Sequence, residues 1–111
     1  KKKDAVDKNL VANYSAAADW SVFPIGTILD INDKNYEICD YGSALVTKKW
    51  GMPVVDIYQP SKTAMRRWGV KYFDNVKVVK WGDWSKSAEI LKPRLKYPHC
   101  RTMYNGIQRQ L

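Results

Sequence analysis

The stretch EICDYGSALV (residues 37–46), with VVDIY (residues 54–58) close behind it, decides how this chain is read. Each puts one aspartate, Asp40 or Asp56, into surroundings that read as a buried strand. Strand alternation places Tyr36, Ile38 and Asp40 on one face, and Asp56 with Val54 and Tyr58 on another. An ionised carboxylate is costly to bury unless it is hydrogen-bonded, paired or neutral. Two such residues in a small domain therefore need a reason.

Outward from this stretch the pattern is that of short strands and tight turns. Pro24 and Gly26 mark a turn before a strand over residues 27–31. NDKN (residues 32–35) is a turn, because Asn and Asp tolerate turn geometries, and residues 36–41 return as the second arm of a hairpin. Gly42 ends that arm, SALVTKKW makes a short helical turn, and residues 54–58 form a third strand. PSKTAMRRWG predicts a short helix with Ser61 as N-cap and Gly69 as its stop. Ala64, Met65 and Trp68 share a face expected in the core, with Arg66 and Arg67 outward. A last strand covers residues 75–81. Residues 1–14 read as an exposed arm, residues 15–81 as the main domain, and residues 82–111 as a helical extension in two segments around Pro93 and Pro98. The class is mostly β, a small barrel.

A chain of 111 residues holds one domain with a modest core. Its net charge of +8 implies an anionic partner or anionic surroundings. Five Trp and seven Tyr supply core bulk in most cases, and also make flat platforms for sugars, bases or peptides. Cys39 and Cys100 form no CxxC, and with His99 the single histidine no zinc site is expected. No apolar run approaches a membrane span of about 20 residues. The chain opens on KKK without a leader and reads as a processed or trimmed product. No phosphate loop is present, Ser43 reads as a turn residue, and no nucleic-acid motif accompanies the basic charge.

A buried Asp near a second Asp has its pKa raised by desolvation and by like charge, which prepares a general acid near neutral pH. The competing reading is that each aspartate caps a turn or pairs with Lys48, Lys49 or Arg66. Spacing alone leaves both open.

DWSVFPIGT (residues 19–27), EICDYGSALV, VVDIY and AMRRWG (residues 64–69) occur in the order and character of the 3D domain, named for three aspartates. The chain resembles that family over about residues 15–81, with Asp19, Asp40 and Asp56 as its three aspartates. The resemblance implies a six-stranded double-psi β-barrel like that of membrane-bound lytic transglycosylase A and the stationary-phase survival muralytic proteins. It implies cleavage of the β-1,4 bond between N-acetylmuramic acid and N-acetylglucosamine in peptidoglycan, leaving 1,6-anhydro ends. Asp56 would be the acid and then the base, with Asp40 beside it and Asp19 in support. Tyr41, Gly42, Ser43 and Ala44 would line the groove, with Trp50 as a sugar wall or core filler. Neither cofactor nor metal is implied. The partner would be the glycan strand, not nucleic acid, in an extracytoplasmic setting. A noncatalytic, expansin-like wall-binding module is the other reading. The family's first strand is not legible in residues 1–14, and a missing strand would favour a homodimer by strand exchange.

Overall fold

The computed structural model describes residues 3–48 and 50–111; Lys1, Lys2 and Lys49, one of the cations considered above as a carboxylate partner, lie outside the described residues. The hairpin forms as expected. Strand β2 (Ile28–Ile31) pairs antiparallel with β3 (Lys34–Asp40) across Asn32 and Asp33, both with positive φ (54° and 63°). Two left-handed residues in a two-residue loop match the natural twist of paired strands. Leu29 and Ile31 from one arm and Tyr36 and Ile38 from the other are buried.

A strand precedes Asp19 at Ser15–Ala17, here β1. It runs parallel to β3 and antiparallel to the two-residue β4 (Asp56–Ile57). The slot beside β3 is thus filled by the chain's own backbone, and no exchanged strand is needed there. Strand β5 (Val76–Lys80) pairs with β2, giving the order β4-β1-β3-β2-β5. The sheet is open and five-stranded among the described residues, not a closed six-stranded barrel. The expectation of a mostly β chain is also corrected, because more residues lie in helices than in strands.

Helix α1 (Ser43–Thr47) follows Gly42, and α2 (Lys62–Trp68) starts at Ser61, whose Oγ accepts from the Ala64 amide at 3.1 Å. Gly69 closes α2 with φ 64°. The expected core face of α2 is not buried: no residue of the helix is, and Met65 is 54% exposed. Its two caps and the half-buried Trp68, which packs against the core, hold this helix. The C-terminal helices behave oppositely. Asp83 caps α3 (Trp84–Leu91) through a bond from the Lys86 amide, a 3-10 turn follows at Lys92–Arg94, and α4 (Pro98–Gln108) packs into the core. Leu91, Cys100, Met103 and Ile107 are fully buried with Trp20, Leu29 and Ile38. Both cysteines are free and buried, and burial pushes the Cys39 thiol up to about 11. Trp20 is fully buried and Trp68 and Trp84 pack half-buried against the core, as expected for most aromatics, whereas Trp50 and Trp81 are exposed.

Gly82 joins the two halves. A Cβ there would sit 2.1 Å from the Ile25 carbonyl oxygen and 2.5 Å from the Thr27 nitrogen, both backbone atoms that cannot step aside. Gly82→Ala is therefore expected to destabilise the fold by about 1–3 kcal/mol or more, as overpacking does. Urea unfolding checks this, and an unchanged midpoint would refute the close approach. No described helix is long and apolar enough to cross a membrane.

Candidate active site

The two aspartates are brought together by a bulge. Ala16 faces Ile38 across the β1–β3 pair, but Ala17 faces Asp40, so the register skips Cys39. An extra residue in one strand re-aims everything after it. Asp40 therefore leaves the face of Tyr36 and Ile38, where simple alternation put it, and joins the face of Ala17. On the other side of β1, Ala17 faces Asp56 and Ala16 faces Ile57. Residues opposite one another on paired strands point the same way. Ile38, Ala16 and Ile57 consequently form the core row, and Asp40, Ala17 and Asp56 form the row beside it. With strands about 4.8 Å apart, the backbones of Asp40 and Asp56 are roughly 10 Å apart, and their side chains overlook one methyl group.

This row lines a groove of about 430 Å³, walled also by Gln59, Lys62 and Met65. Gln59 is buried and donates through Nε2 to Asn13 Oδ1 at 2.9 Å, which pins the N-terminal segment to the groove wall. Asp40 is buried. Its carbonyl accepts from the Ala18 amide at 3.1 Å and from Trp20 Nε1 at 2.9 Å, and its Oδ1 accepts from the Tyr41 amide at 3.0 Å. Asp56 is open to solvent on one side. On the other it is packed closely enough that lost hydration raises its carboxyl pKa, and the negative charge of Asp40 raises it further. Pairing with Lys48 or Arg66 would have lowered it. The direction found is that of a carboxyl kept protonated to higher pH than usual.

Asp19 does not line the groove. Its Oδ1 accepts from the Ser21 amide at 2.9 Å and the Ser21 hydroxyl at 2.6 Å, and its carbonyl accepts from Val22 and Phe23. This closes the turn that carries Trp20 beneath Asp40. Tyr41 is also turned elsewhere: its ring meets Trp20 edge-on at 5.0 Å and its hydroxyl accepts from Arg94 at 3.0 Å. Gly42 precedes α1 and Ser43 and Ala44 begin it, and none of the three lines the groove. Trp50 folds back on α1, donating through Nε1 to the Ala44 carbonyl at 3.3 Å. Of the groove's actual walls, Ala17, Gln59 and Lys62 were not singled out in the sequence, and Met65 was expected in the core. The one signal for them is that Lys62 and Met65 lie three apart on a helix directly after VVDIY.

Among the described residues no group of three His, Cys, Asp or Glu side chains could hold a metal ion. His99 lies against the rings of Tyr41 and Tyr97. What the site offers chemically is one carboxyl with a raised pKa beside a second, buried carboxyl, in a groove floored by a methyl group. Comparison of the chain with protein-family models, with curated proteins and with solved structures found no match.

Proposed function

We propose that the chain is a peptidoglycan-active lytic transglycosylase with Asp56 as acid and then base. The observation that carries this reading is the placement of Asp40 and Asp56 opposite the same small residue, Ala17, on one groove, with the Asp56 carboxyl raised. In the finer structural reading, the parallel β1–β3 pair with β4 at its edge is an opened relative of the double-psi barrel.

The protonated Asp56 gives its proton to the glycosidic oxygen as the bond from the muramic acid C1 breaks. Positive charge develops on the sugar ring, and the carboxylate of Asp40 stabilises it. Asp56, now ionised, takes the proton from the C6 hydroxyl of the same sugar. The C6 oxygen closes on C1, giving a 1,6-anhydro end without water. The small side chain at position 17 leaves room for the ring between the carboxylates. Asp19 acts only through the Trp20 turn. The substrate lies outside the cytoplasmic membrane, so the proposal carries an extracytoplasmic location with it.

The test is digestion of purified peptidoglycan with mass spectrometry for 1,6-anhydro-muropeptides. Release of these ends by the wild type and not by Asp56→Asn supports the reading. Wall binding without release at any pH from about 4 to about 8 would replace it with the noncatalytic wall-binding module, because a general acid must work somewhere in that range. Ordinary reducing ends would indicate hydrolysis by two carboxylates instead.

A pH prediction follows from the Asp56 shift. A general acid acts while protonated, so the rate falls as pH rises through its pKa. Asp40→Asn removes the charge that raises Asp56, and the falling limb should move to lower pH while the desolvation contribution remains. A limb that stays in place or moves up would break the electrostatic link between the two residues. Rates measured across the pH range, alongside the carboxyl chemical shift of Asp56, read this out.

A further inference from the structure

A second cavity, of about 610 Å³, shares no lining residue with the carboxylate groove. It is built around the segment WGDW (residues 81–84). The Gly82 amide donates to Thr27 Oγ1 at 3.0 Å and the Asp83 amide to the Ile25 carbonyl at 2.9 Å, so this backbone is locked onto the turn before β2. The lock sets the two indoles on either side of it nearly parallel, with ring centres 6.0 Å apart and planes 28° apart. Phe23 supports Trp81 from a third direction at 6.2 Å. Trp84 and Phe23 pack against the core, whereas Trp81 remains 54% exposed.

An indole held rigidly from behind and open in front is a flat apolar platform. Leaving it in water costs about 25 cal/mol for each Å² of apolar surface, which a ligand with a flat apolar face would recover. Two ligand classes have such a face: a pyranose ring, through its C–H groups, and a nucleobase. The charged lining decides between them. Lys8, Lys80 and Lys86 are matched by Asp4, Glu37 and Asp83 around the cavity. Grooves for nucleic acid are positive along the phosphate path. Three carboxylates would repel phosphates, yet they accept hydrogen bonds from sugar hydroxyls while the ammonium groups donate to hydroxyl and amide oxygens. We propose that the Trp81–Trp84 cavity is a saccharide-binding site separate from the carboxylate groove.

The proposal concerns binding alone, and it stands or falls independently of cleavage at Asp56. The experiment titrates the full chain with a soluble N-acetylglucosamine tetramer, following amide and indole signals by two-dimensional NMR and affinity by calorimetry. The expected result is perturbation of the Trp81 indole and the Gly82 and Trp84 amides. Trp81→Ala should weaken binding there about tenfold or more, which is about 1.4 kcal/mol or more. Trp81→Phe should retain most of the affinity, and Asp56→Asn all of it at this site. Because Trp81 is half exposed, its replacement leaves the core in place, which far-ultraviolet circular dichroism verifies. Signals moving only at Ala17 and Gln59, or unchanged affinity in Trp81→Ala, would overturn the proposal. So would a cavity that ignores the tetramer and instead binds an oligothymidylate with steep salt dependence.

Discussion

Asp56→Asn is expected to cut release of 1,6-anhydro ends by about 10²- to 10⁴-fold, the range over which a positioned acid or base contributes to rate. The amide is close in size to the carboxyl, but it can neither give nor take the proton. Because Asp56 is solvent-exposed on the edge strand β4, the substitution leaves the core row of Ile38, Ala16 and Ile57 untouched. Loss of product with an unchanged unfolding midpoint is therefore the expected pair of results. Activity within threefold of wild type would remove Asp56 from the chemistry, since an effect that small is about 0.65 kcal/mol and lies within ordinary positional disturbance. Asp40→Asn should behave differently. Asp40 is buried and its Oδ1 accepts from the Tyr41 amide, so a moderate stability loss should accompany its shifted pH limb.

How far these features could be read from the chain depends on whether each is local. The β2–β3 hairpin is legible because Asn32 and Asp33 tolerate left-handed backbone, and that turn sets the register of both arms. The ends of α2 are legible for the same reason, in Ser61 and Gly69. Strand β1 is not: Ser15, Ala16 and Ala17 lack the β-branched and aromatic bulk that marks strands, and they are a strand because β3 and β4 flank them. The bulge at Cys39 is invisible for a related reason, since it exists only relative to the partner strand. That single residue moves Asp40 from one face to the other. Alternation thus gave Asp40 the wrong neighbours. The neighbours of Tyr41 and Trp50 were not legible either. Arg94 and Trp20 claim the first, and the Ala44 carbonyl claims the second.

Removing α4 is expected to abolish cooperative unfolding altogether, although residues 82–111 read in the sequence as an appended extension. Cys100, Met103 and Ile107 recur at spacings of three and four, the stripe of a buried helix face, and all three are fully buried. Met103 also bonds across to the Trp20 turn, its Sδ accepting from the Trp20 amide at 3.4 Å. Gly106 brings the helix so close to the Asp19 turn that a Cβ there would lie 2.6 Å from Ser21 Cβ. The helix therefore backs the turn that carries Trp20, and Trp20 Nε1 in turn holds the Asp40 carbonyl. A chain ending at residue 97 would expose one side of Trp20 and lose three buried side chains. At about 1.5–3 kcal/mol for a large apolar side chain, that loss rivals the roughly 5–15 kcal/mol by which whole domains are stable. Met103→Ala isolates the effect in a chain that still folds, with an expected cost of about 2–5 kcal/mol in urea unfolding. The Asp40 end of the groove should loosen with it, seen as faster amide exchange at Ala18 and Tyr41. A truncated chain that still unfolds cooperatively, or a Met103→Ala cost below about 1 kcal/mol, would return α4 to the status of an appendage.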